Sequence, residues 1–141
     1  MIESPATGIA ADVDLLSLYP HAHFLGKKMQ VDALLPDGGS RTLLHIRRWS
    51  FHWQQDYRFT RPVPLPRGTK VLMRFTYDNS EGNPDNPNRP PIRVVSGRRS
   101  TDEMGNLLLQ FVPRSAADRT RIVQDLTARE ATGAVAAAQH M

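Results

Sequence analysis

Between Lys28 and Leu35 the sequence alternates with a period of two. Met29, Val31, Ala33 and Leu35 fall on one side, Lys28, Gln30 and Asp32 on the other. Residues 70–77 repeat the pattern, with Val71, Met73, Phe75 and Tyr77 in step. Successive side chains of an extended strand point to opposite faces, so each segment predicts a strand with one face in a core. The stretch after the first, Pro36-Asp-Gly-Gly-Ser40, reads as a hairpin turn whose glycines supply positive φ. Residues 13–19 and 103–113 predict further strands, and 41–59, rich in aromatic residues, predict two strands with a bend. Trp49, Phe51 and Trp53 would then share one strand face and belong to the core. Residues 62–69, with three prolines, predict a turn. Strands joined by turns rather than helices imply an all-β chain, an antiparallel β-sandwich, jelly-roll-like, over residues 1–113.

Two segments break the pattern. Residues 78–102 are rich in Asn and Pro and poor in core material. A loop that long is uncommon in a compact domain unless it is functional or disordered. Its Asp and Asn side chains, from Asp78 and Asn79 through the Asn-Pro-Asp-Asn-Pro-Asn run, are suited to bonding nearby backbone. From Ser115, a suitable N-cap, the periodicity turns helical, with Ile122, Val123 and Leu126 as a narrow apolar stripe. A short C-terminal helix and a tail frayed beyond Gly133 are therefore expected over residues 114–141, as a peripheral element rather than a catalytic one.

Composition narrows the function classes. At 141 residues the chain has material for one domain with a real core. No apolar run approaches the roughly 18 residues that would span a bilayer. The N-terminus has neither the basic start nor the apolar stretch of a signal peptide, so the sequence reads as a segment of a longer chain or as a cytoplasmic protein. There is no cysteine, which excludes disulfides, thiolate metal sites and cysteine nucleophiles. The net charge of +4 is scattered along the chain without an aromatic-and-basic recognition motif, so nucleic acid is not an expected partner.

Only five histidines are present, yet His21 and His23 stand one residue apart in Tyr19-Pro-His-Ala-His-Phe-Leu-Gly26. On a strand they share a face while Ala22 points away. Two imidazoles so placed can converge on one ion, or can simply be two histidines at a sheet edge. His45 and His52, in the aromatic segment, read as satisfied structural histidines, and His140 lies in the tail.

The segments Pro20-His-Ala-His-Phe-Leu-Gly-Lys27, Tyr77-Asp-Asn-Ser-Glu-Gly-Asn-Pro-Asp-Asn-Pro-Asn88 and Ser100-Thr-Asp-Glu-Met-Gly-Asn-Leu107 together resemble the C-terminal domain of copper type II, ascorbate-dependent monooxygenases. That family includes peptidylglycine α-hydroxylating and dopamine β-monooxygenases, and the asparagine–proline loop is most similar to its bacterial branch. The resemblance covers roughly residues 12–113. It implies one copper held by His21, His23 and Met104, activating O2 for hydroxylation of a C–H bond in a small organic substrate. Imidazole suits both oxidation states of copper, and a soft thioether favours the reduced one.

What accompanies those ligands differs from the family pattern. A second, electron-supplying copper held by three histidines has no counterpart here, since only 20 residues precede His21. The resemblance therefore implies an electron-donating partner domain or subunit, with ascorbate or another reductant as source, and an exported, periplasmic setting within a longer polypeptide. Where the peptide-amidating branch carries an arginine and a tyrosine that grip a carboxylate, this chain has Tyr19 and Leu108, although Asn106 matches. A glycine-extended peptide is not the expected substrate. Glu103 and Asp102 are candidates for orienting an imidazole, or for capping a loop end.

Overall fold

The alternating segments form two antiparallel sheets packed face to face. The computed structural model describes residues 2–3 and 7–138. Its strands are β1 (Ile2–Glu3), β2 (Thr7–Gly8), β3 (Val13–Ala22), β4 (Gly26–Leu34), β5 (Ser40–Ile46), β6 (Tyr57–Leu65), β7 (Lys70–Tyr77) and β8 (Gly105–Pro113), followed by helix α1 (Ala116–Ala138). One sheet runs β1–β7–β4–β5, with β2 also on β7, and the other runs β6–β3–β8. The core lies between them: Val13, Leu15, Leu18 and Ala22 of β3 meet Met29, Val31 and Ala33 of β4 and Val71, Met73 and Phe75 of β7. Each such side chain contributes about 1.5–3 kcal/mol of transfer free energy when fully buried. The fold is the expected all-β sandwich.

The β4–β5 hairpin closes as its sequence demands. Gly38 adopts φ of +89°, and the Asp37 carboxylate accepts the Gly39 amide at 2.8 Å. Ser115 caps α1, its hydroxyl accepting the Asp118 amide at 3.1 Å. The helix continues past Gly133 to Ala138, beyond the expected point of fraying. Of its apolar stripe only Ile122 is buried; Val123 and Leu126 are more than half exposed.

Two segments differ from expectation. Residues 47–56 are not strand. The Trp49 amide donates to the Lys27 carbonyl and the Trp53 amide to that of Ser50, so the chain turns here. Trp49 is buried, Trp53 is 67% exposed, and the three alternating aromatics share no face. Conversely, Pro62 and Pro64 lie within β6 rather than in a turn. β6 is an edge strand, where a residue without an N–H costs no ladder bond. The turn is confined to the following residues, with Gly68 at φ +87°.

Asp32 occupies a polar position of β4 but is 7% exposed. Thr42, Gln30 and Arg74 all donate to its carboxylate. Burial pushes its pKa up, yet these bonds and the Arg74 charge outweigh burial and hold it below the usual carboxylate value. A depressed folded-state pKa stabilises the protein above the unfolded value of about 3.9 and ceases to do so as pH falls through the folded one. Asp32→Asn should therefore cost about 1–2 kcal/mol at neutral pH. In urea melts, that gap from the wild type should close below about pH 4; a gap independent of pH would contradict this account.

Candidate metal centre

β3 and β8 are neighbours, and their register decides what meets at their ends. His21 pairs with Asn106 and Ala22 with Gly105. The His23 amide then donates to the Met104 carbonyl at 3.3 Å, carrying the ladder one pair further and setting Met104 opposite His23. Residues directly opposite on an antiparallel pair present their side chains to the same side. Ala22 is fully buried in the core, so the two histidines project from the other face of the sheet. Their ring centroids are 5.1 Å apart with planes at 86°.

Each imidazole is held by its Nδ1. That of His21 lies 2.6 Å from the Gln54 side-chain oxygen, and that of His23 lies 3.1 Å from the Asp102 carbonyl. The Gln54 amide nitrogen in turn donates to the Phe51 carbonyl at 2.8 Å. Phe51 sets its ring edge-on to His23 at 6.2 Å and packs on Phe24 at 4.2 Å. His23 is 5% exposed and His21 half-buried, so the pair is walled on one side and open on the other. Residues 47–56 supply that wall. Their sequence reads as strand, and nothing in it marks Gln54 as a partner of His21.

The long loop is held together by its own Asn and Asp side chains. Asn83, buried, donates to the Asp78 carbonyl at 2.7 Å, and its own oxygen accepts the Asp85 amide. Asn86 donates to Asn79 and accepts the Asn88 amide. All but the Asn86–Asn79 bond, which joins two side chains, are the side-chain-to-backbone bonds expected of such a sequence. Lys27 pairs with Asp85 at 2.6 Å, and the Phe24 amide reaches the Ser100 carbonyl, tying the loop to the histidine turn.

Tyr19 and Leu108 are cross-strand partners beside the His21–Asn106 pair, on the same outer face. They are 36% and 61% exposed and help line an open groove of about 310 Å³ with Ser17, Asp56 and Gln110. Asp102 acts through its carbonyl on His23, while its carboxylate accepts the Arg99 amide and caps a turn. Glu103 is not an imidazole partner. Its amide and carbonyl bond Val95 and Gly97, and its charge bears on Tyr77. Burial, then that charge, pushes the Tyr77 hydroxyl up to about 12. His45 and His52 are exposed, not satisfied within the fold, although the His52 ring lies 5.8 Å from Phe24. His140 lies outside the described residues.

No family profile, curated protein or solved structure matches this chain. Among the described residues no group of three or more His, Cys, Asp or Glu converges on one point, and no helix is long and apolar enough to cross a membrane. A metal held by His21 and His23 would thus draw any further protein ligand from another donor class. The donor chemistry fits copper: two imidazoles stand side by side, and the main chain of a thioether residue is hydrogen-bonded to that of one of them.

Proposed function

We propose that this chain is a mononuclear copper-binding module of the copper-dependent monooxygenase type, with His21, His23 and Met104 as ligands. In this reading it activates O2 for hydroxylation of a small organic substrate, within a larger exported redox protein that supplies electrons from ascorbate or another donor. The observation that carries it is the convergence of the paired histidines with the Met104 strand end, from opposite ends of the sandwich sequence. Copper bound there would supply one-electron redox chemistry and an open coordination position. The chain's own contributions are then distinct. His21 and His23 bind through one nitrogen each, Met104 offers a ligand preferring the reduced ion, Phe51 and Phe24 exclude water on one side, and the groove at Tyr19 and Leu108 receives substrate beside the ion.

The lack of a second histidine cluster among the described residues favours a second reading, a copper-holding or relay module without its own oxygen chemistry. One experiment separates them. Titrating the purified protein with Cu(II) under EPR should give one bound ion per chain, and X-ray absorption of the Cu(I) form should show a sulfur neighbour. Reductant-dependent O2 consumption supports the monooxygenase reading, and its absence with copper bound supports the relay. Failure to bind one equivalent rejects both.

A further inference from the structure

We propose that Gln54 is a positioning residue that fixes His21 as the tautomer protonated at Nδ1, so that the two imidazoles offer their Nε2 lone pairs together. The tautomer assignment stands on hydrogen bonding alone; its consequence for metal affinity rests on the copper reading above. A neutral imidazole has one donor nitrogen and one acceptor, so a partner that can only accept decides which is which. For His23 the partner is the Asp102 main-chain carbonyl, and Nδ1 must donate to it. For His21 the partner is a side-chain amide, which could present either end. The Phe51 carbonyl removes that freedom: it accepts only, so it takes the Gln54 amide nitrogen and leaves the oxygen 2.6 Å from His21 Nδ1. Both Nδ1 atoms are therefore donors, and both Nε2 atoms are free to bind.

The two locks differ in kind. That of His23 is a main-chain oxygen, an acceptor that every residue type at position 102 carries. That of His21 depends on one side chain in residues 47–56, whose Phe51 both orients the amide and sets its ring against His23. This turn thus governs the donor end of one ligand and the packing of the other. Outer partners of this kind, which fix the tautomer and ring orientation of a ligand, typically alter metal affinity roughly 10–100-fold when removed.

The test begins without metal. Long-range 15N–1H correlation spectra at about pH 8, above the ordinary histidine value of about 6.5, report the tautomer of each ring. In the native protein both His21 and His23 should carry the proton on Nδ1. Gln54→Leu should move His21 alone toward Nε2–H, with His23 as the internal control for an intact fold, and Cu(I) affinity should fall roughly 10–100-fold. Gln54→Glu keeps an acceptor oxygen for His21 Nδ1–H and should keep the tautomer, with an affinity between those of the native and Gln54→Leu proteins because it cannot donate to the Phe51 carbonyl. A native His21 protonated at Nε2, or a Gln54→Leu protein whose His21 tautomer is unchanged, overturns the proposal. Should Gln54→Leu not fold, the native and Gln54→Glu spectra decide, since each must show Nδ1–H on His21. Correct tautomers in a protein that takes up no copper would uphold the role of Gln54 while rejecting the copper reading.

Discussion

His23→Ala should abolish stoichiometric copper binding, lowering affinity by well over the roughly 100-fold that marks the upper end of outer-partner effects. His23 is the better buried of the pair, and its backbone is fixed against Met104 by the last ladder bond. On the copper reading proposed above, removing its ring deletes one of two nitrogen donors and leaves His21 with a thioether, a pair too weak to hold Cu(II). The same change leaves the Asp102 carbonyl without its donor, which costs about 1–3 kcal/mol of stability on its own. His21→Ala is the companion variant because its site is more open, and it should lose copper with a smaller change in melting temperature. Isothermal titration and EPR on both, beside circular dichroism, separate lost ligation from lost folding. A folded His23→Ala protein that binds copper with native affinity would remove the histidine pair from the site.

Gly105→Ala is expected to be among the most destabilising conservative changes in the sandwich. A Cβ there would sit 2.5 Å from both the Phe75 ring and the Tyr77 hydroxyl, far inside van der Waals contact. Those rings stack at 5.8 Å, so both tips must shift together to admit the new methyl, Phe75, 4% exposed, having only the small cavity it lines beside Gly105 to move toward. Overpacking a filled core costs typically 1–3 kcal/mol, and two simultaneous clashes place this site at about 3 kcal/mol. For a domain of this size that lowers the melting temperature by roughly 10 °C. Because Gly105 stands between Met104 and Asn106, the strain should also reach the candidate metal centre as weakened copper binding. Phe75→Leu combined with Gly105→Ala should recover part of the stability, since it removes ring atoms from the collision. A melting temperature within 2–3 °C of wild type for the single variant, under about 1 kcal/mol, would refute the contact argument.

The two strongest alternations, 28–35 and 70–77, were legible because period-two patterning is set by which face is buried, and Val31, Ala33, Val71 and Met73 are buried as it requires. The spacing of His21 and His23 was equally readable, since residues two apart on a strand share a face whatever the fold. Other features depend on tertiary partners that leave no local signature. Residues 47–56 have the aromatic content of a strand, but Trp49 is drawn to the Lys27 carbonyl across the sheet. Prolines 62 and 64 look like turn residues until β6 is known to be an edge. Glu103 and Met104 are adjacent in sequence, and only their main-chain bonds show that Glu103 is tied to Val95 and Gly97 while the Met104 carbonyl accepts the His23 amide. Gln54 could not be singled out among polar residues, because its role exists only once β3 and the turn before β6 are brought together.

One irregularity in β3 decides which way the histidines look. Against β8, Leu15 pairs with Phe111 and Ser17 with Gln110, so Leu16 is an extra residue without a partner. Before it, odd-numbered residues, Val13 and Leu15, face inward; after it, even-numbered ones do, with Leu18, Pro20 and Ala22 buried. Strict alternation from Val13 would have sent position 21 into the hydrocarbon interior, where an imidazole has neither solvent nor an incoming ion. The bulge works as a single-residue frameshift in three dimensions, and the outward orientation of this histidine pair depends on it.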